Sequence, residues 1–102
     1  MKNISVKKLI PHISHSETCI IDVREVDEWN TIRLPSALLL PCSSIEHRVS
    51  EIDRSRDLYI LCKSGGRSGQ VCEWLSSLGI SATNIDGGIK ALYREAPEIL
   101  EK

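Results

Sequence analysis

Residues 58–68 read Leu58-Tyr59-Ile60-Leu61-Cys62-Lys63-Ser64-Gly65-Gly66-Arg67-Ser68. The first five are apolar without alternation, the pattern of a strand covered on both faces of a parallel sheet. That strand runs straight into a short loop holding two adjacent glycines and two cations. Beyond the loop, Val71, Cys72, Leu75 and Leu78 recur at helical spacing between Ser68 and Leu78, and Gly79 supplies a C-terminal stop. Strand, glycine loop and helix form the building unit of α/β folds, and ligands in such folds bind where the strands end.

Working outward, Cys19-Ile20-Ile21-Asp22-Val23 predicts a second buried strand, and Ala37 to Leu40 and Ala82 to Ile85 predict weaker ones. Helical periodicity fills the intervals. Val6 to Ile10 predicts a short helix halted near Pro11, and Asp27 to Ile32 another turn or two. Ser43 or Ser44 can cap a helix running through Ile52, with Ile45, Val49 and Ile52 on one face. Ile89 to Glu95 forms a further helix before Pro97, and Pro97 to Lys102 either fray or cover an edge. Strands alternating with helices through short loops predict an α/β domain with a mainly parallel sheet. No repeat, low-complexity tract or linker interrupts residues 1–102, so one domain is expected.

Composition narrows the function classes. Thirteen basic against fourteen acidic side chains give a net charge of −1, which argues against a blanket grip on nucleic acid or an acidic membrane. A 41% hydrophobic content excludes disorder, and with no Phe among 102 residues the core must be aliphatic. The opening MKNISVKKLI lacks a signal-peptide core, and the longest apolar run is Ala37 to Leu40, so a cytoplasmic chain with reduced thiols is expected. Cys19, Cys42, Cys62 and Cys72 form no CxxC, and His12, His15 and His47 lack metal-ligand spacing to them, so no metal is expected.

The loop is where chemistry concentrates. Adjacent glycines allow a sharp turn in which successive N–H groups form an anion-binding nest, reinforced by the positive end of the helix that follows. A thiol on the rim of such a nest is a candidate nucleophile. Helix N-termini and nearby cations lower a cysteine pKa from about 8.5 toward roughly 3.5–7.5, and Lys63 and Arg67 are cations of the required kind. The blander reading, a buried strand-end cysteine beside an ordinary turn, leaves the clustering of glycines and cations unexplained.

Cys-x-x-Gly-x-Arg-Ser after a strand resembles the active-site loop of single-domain rhodaneses, sulfurtransferases that carry a cysteine persulfide. Asp22-Val23-Arg24-Glu25 followed by Asp27-Glu28-Trp29 is similar to a second family block, and Glu73-Trp74-Leu75 through Asp86-Gly87-Gly88-Ile89 to a third. The resemblance covers about residues 18–93. It implies a rhodanese-like three-layer α/β/α architecture, with a mainly parallel five-stranded sheet and Cys62 after the fourth strand. It implies that Cys62 is the nucleophile and sulfur carrier and that Lys63, Ser64, Gly65, Gly66, Arg67 and Ser68 bind substrate. Backbone N–H groups of Lys63 to Arg67 would cradle the transferred sulfur, while Lys63 and Arg67 would hold an anionic donor such as thiosulfate. A thiol or cyanide would accept the sulfur, without cofactor or metal. Four residues separate Cys62 from Arg67, one fewer than in related phosphatases, so phosphate chemistry is disfavoured.

Asp22 and Arg24 are expected to brace the loop from the neighbouring strand end. Cys19 and Cys72 read as core residues, Trp29 and Trp74 as packing, and Cys42 as a spare thiol that is inert unless it resolves the persulfide. Ile32-Arg33-Leu34-Pro35-Ser36-Ala37 departs from the usual family segment, and Leu92 stands where a tryptophan is common. Arg33 reads as a surface side chain or an added charge at the pocket mouth. Two competing classes remain: a persulfide relay fed by a protein partner, and a silent interaction domain, which an intact Cys62 argues against.

Overall fold

The computed structural model describes all of residues 1–102. Five strands, β1 (Lys2–Ile4), β2 (Thr18–Asp22), β3 (Leu38–Leu39), β4 (Asp57–Leu61) and β5 (Thr83–Ile85), form one parallel sheet in the order β1-β5-β4-β2-β3. The helices are α1 (Val6–Leu9), α2 (Val26–Thr31), α3 (Ile45–Arg48), α4 (Gly66–Ser77) and α5 (Gly88–Glu95). β2 and β4 lie centrally and pair along their whole length, Thr18 opposite Asp57 through Asp22 opposite Leu61. This pairing sets the ends of both predicted buried strands side by side.

Strand periodicity sorts the core into two layers. Cys19, Ile21 and Val23 with Leu58, Ile60 and Cys62 pack against Ile45, Val71, Cys72 and Leu75, so α3 and α4 cover one face. Ile20, Leu61 and Ile85 point the other way, toward Val6, Leu9, Ile89 and Leu92 of α1 and α5. The expected α/β/α sandwich is thus observed.

Several elements differ locally. β1 had no sequence signal: its three residues are polar or half-exposed and are held by pairing with β5. The expected Ser44-to-Ile52 helix breaks after Arg48 into a 3₁₀ turn at Val49–Glu51, and α1 passes into another at Ile10–His12 that accommodates Pro11. The C-terminal segment is held in place rather than frayed, with Ile99 and Leu100 packed on the α1/α5 core layer. A 3₁₀ turn at Pro97–Ile99 leads to a two-way backbone exchange between Glu101 and Arg33, whose side chains also pair at 3.2 Å. Arg33 is therefore tied to the C-terminus. Leu92, in the tryptophan position, is fully buried and fills that core.

Candidate functional site

Cys62 is the first residue after β4 and is only 1% exposed. Gly65 turns the chain at φ 109°, a backbone conformation that L side chains rarely adopt. Gly66 has no positive φ and nothing within 4 Å of a built Cβ, so the turn needs one glycine, not the pair. The loop folds back so that the Gly65 N–H donates to Cys62 Sγ at 3.0 Å. Ser68 Oγ lies 3.2 Å from the same sulfur.

Burial alone pushes the Cys62 thiol up. The Ser68 hydroxyl and the backbone N–H groups of Ser68, Gly65 and Ser64 outweigh it, and the net shift is downward. This refines the expectation that cations lower the pKa: aligned hydrogen bonds dominate. Arg67 is committed elsewhere. Its guanidinium forks onto Glu28 at 2.7 and 2.8 Å, which lowers the Glu28 carboxyl to about 2, chiefly through those hydrogen bonds. Arg67 rises in response, again chiefly through its bonds to Glu28.

The residues expected to bind substrate thus separate into different roles. Ser68 is fully buried behind the sulfur, its Oγ 3.2 Å from Cys62 Sγ and its hydroxyl donating to Asn84 Oδ1 at 2.5 Å. Asn84 in turn donates to Asn3 Oδ1 and to the Gly65 carbonyl. Lys63 and Arg67 face different spaces. Lys63 lines a cavity of about 420 Å³ between α2 and α5, whereas Arg67 borders a recess of about 200 Å³ with Cys42, Gln70 and Trp74.

Asp22 and Arg24 do not reach the loop directly. Arg24, 2% exposed, sends its guanidinium to Asp22 at 2.8 Å and to the Ile32 carbonyl at 2.8 Å, with a longer bond to the Glu28 carbonyl. The pair clamps α2, and α2 presents Glu28 to Arg67. Glu28 and Asn84 are the two residues that sequence reasoning missed. In the sequence Glu28 stood only within the Asp27-Glu28-Trp29 block of the resemblance, with no role attached; in the structure it also closes a capping box with Glu25.

α5 closes the loop from the opposite side. The amides of Ile89 and Lys90 donate to the carbonyls of Cys62 and Lys63 at 2.9 and 3.0 Å. Gly88, at φ 55°, is so near that a Cβ would meet the Lys63 carbonyl carbon at 2.6 Å. Cys42 is half-buried three residues beyond β3, its amide bonded to the Val23 carbonyl, and burial raises its thiol. Cys19 and Cys72 sit in the core as expected, and no helix is long and apolar enough to cross a membrane.

The arrangement is a buried thiol whose pKa is drawn down by a backbone nest at a strand end, with cavities on both flanks of the loop. The rhodanese-like domain model matches residues 5–95. The chain is 32% identical over 92 residues to the candidate sulfurtransferase YtwF of Bacillus subtilis, covering 89% of each. It is 38% identical to a protein of Allochromatium vinosum named sulfurtransferase, over 82% of this chain and 79% of that one. A solved rhodanese-like domain protein of Staphylococcus aureus superposes with a TM-score of 0.87 at 33% identity, covering 99% of this chain and 97% of that one. With that loop, fold and kinship, the chain belongs to the rhodanese-like domain family, whose named relatives support a general sulfur-transfer function.

Proposed function

We propose that residues 1–102 act as one rhodanese domain, a sulfurtransferase of the thiosulfate type, working through a persulfide on Cys62. The observation that carries this reading is the nest at Cys62: N–H donors and the Ser68 hydroxyl converge on a buried sulfur and depress its pKa. The Cys62 thiolate attacks the outer sulfur of thiosulfate. A new S–S bond forms, the bond to the sulfonyl sulfur breaks, and sulfite leaves with the electron pair. The nest then holds the anionic persulfide, whose charge matches that of the thiolate it replaces. Cyanide or a thiolate attacks the outer sulfur in a second step and regenerates the Cys62 thiolate. Cytoplasmic residence belongs to the same reading. A 25% identical thiosulfate sulfurtransferase, GlpE of Shewanella oneidensis, matches 90% of this chain and supports the donor class.

A relay fed by a protein donor is the second reading. What favours it is Arg67, which already spends both arms of its guanidinium on Glu28 and leaves Lys63 as the uncommitted loop cation for a dianion. A 32% identical sulfur carrier candidate, YrkF of Bacillus subtilis, matches 59% of this chain. Intact mass after incubation with thiosulfate, run beside Cys62→Ala, separates the readings. One added sulfur in the parent and none in the variant supports the thiosulfate reading. No gain in either, followed by loading from a cysteine desulfurase, favours the relay. Equal gain in both removes Cys62 from the mechanism.

A further inference from the structure

The Ser68 hydroxyl has a single proton and two claimants for it. Its Oγ lies 3.2 Å from Cys62 Sγ and 2.5 Å from Asn84 Oδ1. The orientation of the Asn84 amide decides between them. Its Nδ2 donates to the Gly65 carbonyl at 3.3 Å and to Asn3 Oδ1 at 3.1 Å. A backbone carbonyl can only accept, so the amide nitrogen must face Gly65, and the end turned toward Ser68 is the oxygen. That oxygen is also an acceptor, and Ser68 is its sole donor. The serine proton therefore points at Asn84. Toward the neutral thiol Oγ offers only a lone pair, so Cys62 S–H donates to Ser68. Cys62, Ser68 and Asn84 are 1%, 0% and 4% exposed, and none of these bonds can be exchanged for one to bulk water.

We propose that Asn84 is a positioning residue for Cys62: by holding the Ser68 proton it sets how readily the thiol ionises. The inference rests on the Cys62 reading above. When the thiol gives its proton to water, the Ser68 O–H swings about the Cβ–Oγ bond onto the thiolate, and Asn84 Oδ1 loses its donor. A buried acceptor left without a partner is costly, which offsets part of what the sulfur gains. Once Sγ is bonded to a second sulfur it no longer carries the charge, and the O–H returns to Asn84. Each regenerated thiolate draws it back. No covalent bond of Ser68 or Asn84 breaks at any stage. Of the titratable groups around Cys62, Arg67 and Cys72 come from α4, with Arg67 bound to Glu28 of α2, and Cys42 comes from beyond β3. Lys63 of the loop and Lys90 of α5 line the groove on the α2/α5 side, and Asp22 and Arg24 at the end of β2 bond to each other. β5, Thr83-Asn84-Ile85, brings no titratable side chain, so its hold on the sulfur passes through Ser68.

The test reads Cys62 ionisation as the rate of iodoacetamide alkylation against pH, with intact mass and Cys62→Ala assigning the site. Asn84→Leu keeps nearly the same volume, and the Gly65 carbonyl retains its bond from the Gly69 amide. It is expected to move the Cys62 midpoint down by about one pH unit, a tenfold gain in the thiolate-to-thiol ratio. In a Ser68→Ala background the same change is expected to leave the midpoint where it is, since the two residues act as one unit. An absent or upward shift, or an equal shift in both backgrounds, would overturn the proposal and reduce Asn84 to a tether for Gly65. The parent protein supplies a second reading that needs no folded Asn84 variant. Its Cys62 S–H infrared stretch, isolated below the midpoint as the difference from Cys62→Ala, is expected at the frequency of a donating thiol and at the free frequency in Ser68→Ala. A free frequency in the parent would overturn the placement of the proton. Neither measurement uses a sulfur donor. Failure of thiosulfate and of a desulfurase to load Cys62 would sink the sulfur-transfer reading and leave the control of ionisation standing.

Discussion

Cys62 and Cys72 lie ten residues apart in the chain, pack in the same core layer, and are 1% and 3% exposed. Burial pushes both thiols up, and in the middle of α4 only the charge of the chain's N-terminus opposes it, too weakly to prevail, so Cys72 rises to about 11. At the strand end the Ser68 hydroxyl and loop amides reverse the sign for Cys62. Neither depth nor the nearest cation distinguishes a structural from a reactive cysteine here. What does is whether the backbone is free to point N–H groups at the sulfur. A helix interior has spent its amides on carbonyls one turn back, whereas a glycine-turned loop has not.

The harshest test of that contrast deletes each thiol. Cys62→Ala is expected to abolish sulfur loading, while Cys72→Ala keeps it within about twofold and costs about 1–2 kcal/mol in stability as a small core truncation. Intact mass and urea unfolding read the two. Comparable loss of loading in both would erase the distinction. Next in size is Gly88→Ala, which drives a methyl against the Lys63 carbonyl and must shift the loop. A displacement on the order of 1 Å costs about a hundredfold in turnover, so a fall of that order in sulfur-transfer rate is expected, with Gly66→Ala as the tolerated comparison.

Ser68→Ala moves Cys62 toward its core counterpart. Loss of one charge-assisted hydrogen bond is expected to raise the thiol pKa and slow iodoacetamide alkylation at pH 7 about tenfold, measured as a rate–pH profile. An unchanged profile would assign the shift to the backbone amides alone.

The smallest effect concerns Glu28, which holds the far end of the loop. Its folded pKa of about 2 lies below the ordinary carboxylate value of about 4.3. A depressed carboxyl stabilises the fold above its unfolded pKa and loses that contribution as pH falls through the folded value, here between about pH 4 and 2. Both partners are partly solvated, with side chains 27% and 38% exposed, so the worth is about 1 kcal/mol or less. Glu28→Gln should therefore flatten the stability curve in that window, as read by urea midpoints at successive pH values.

Residues 58–79 carried the fold class, because apolar runs and a 3.6-residue period are written in adjacent positions. Cys62 and the Gly65 turn were legible for the same reason. β1 was not, since Lys2, Asn3 and Ile4 have no apolar pattern and gain their structure from β5. The partners of Arg67 and Ser68 were not legible because each lies far along the chain, Glu28 thirty-nine residues away and Asn84 sixteen away. Arg24 likewise clamps α2 to Asp22 and touches the loop only through Glu28.

By itself the sequence determined a parallel α/β sheet, a thiol at the end of β4, and a glycine turn able to aim amides at it. These depend on local backbone freedom and hydrophobic period, which neighbouring residues set. Tertiary structure alone decided that Arg67 is neutralised by Glu28, that Ser68 stands behind the sulfur on Asn84, and that Lys63 and Lys90 share a groove. Those outcomes follow from the sheet order, which brings β5 and α5 against one side of the loop and α2 against the other. Side chains far apart in the chain compete there for the same few hydrogen bonds, and the geometry of the sheet settles which of them are made.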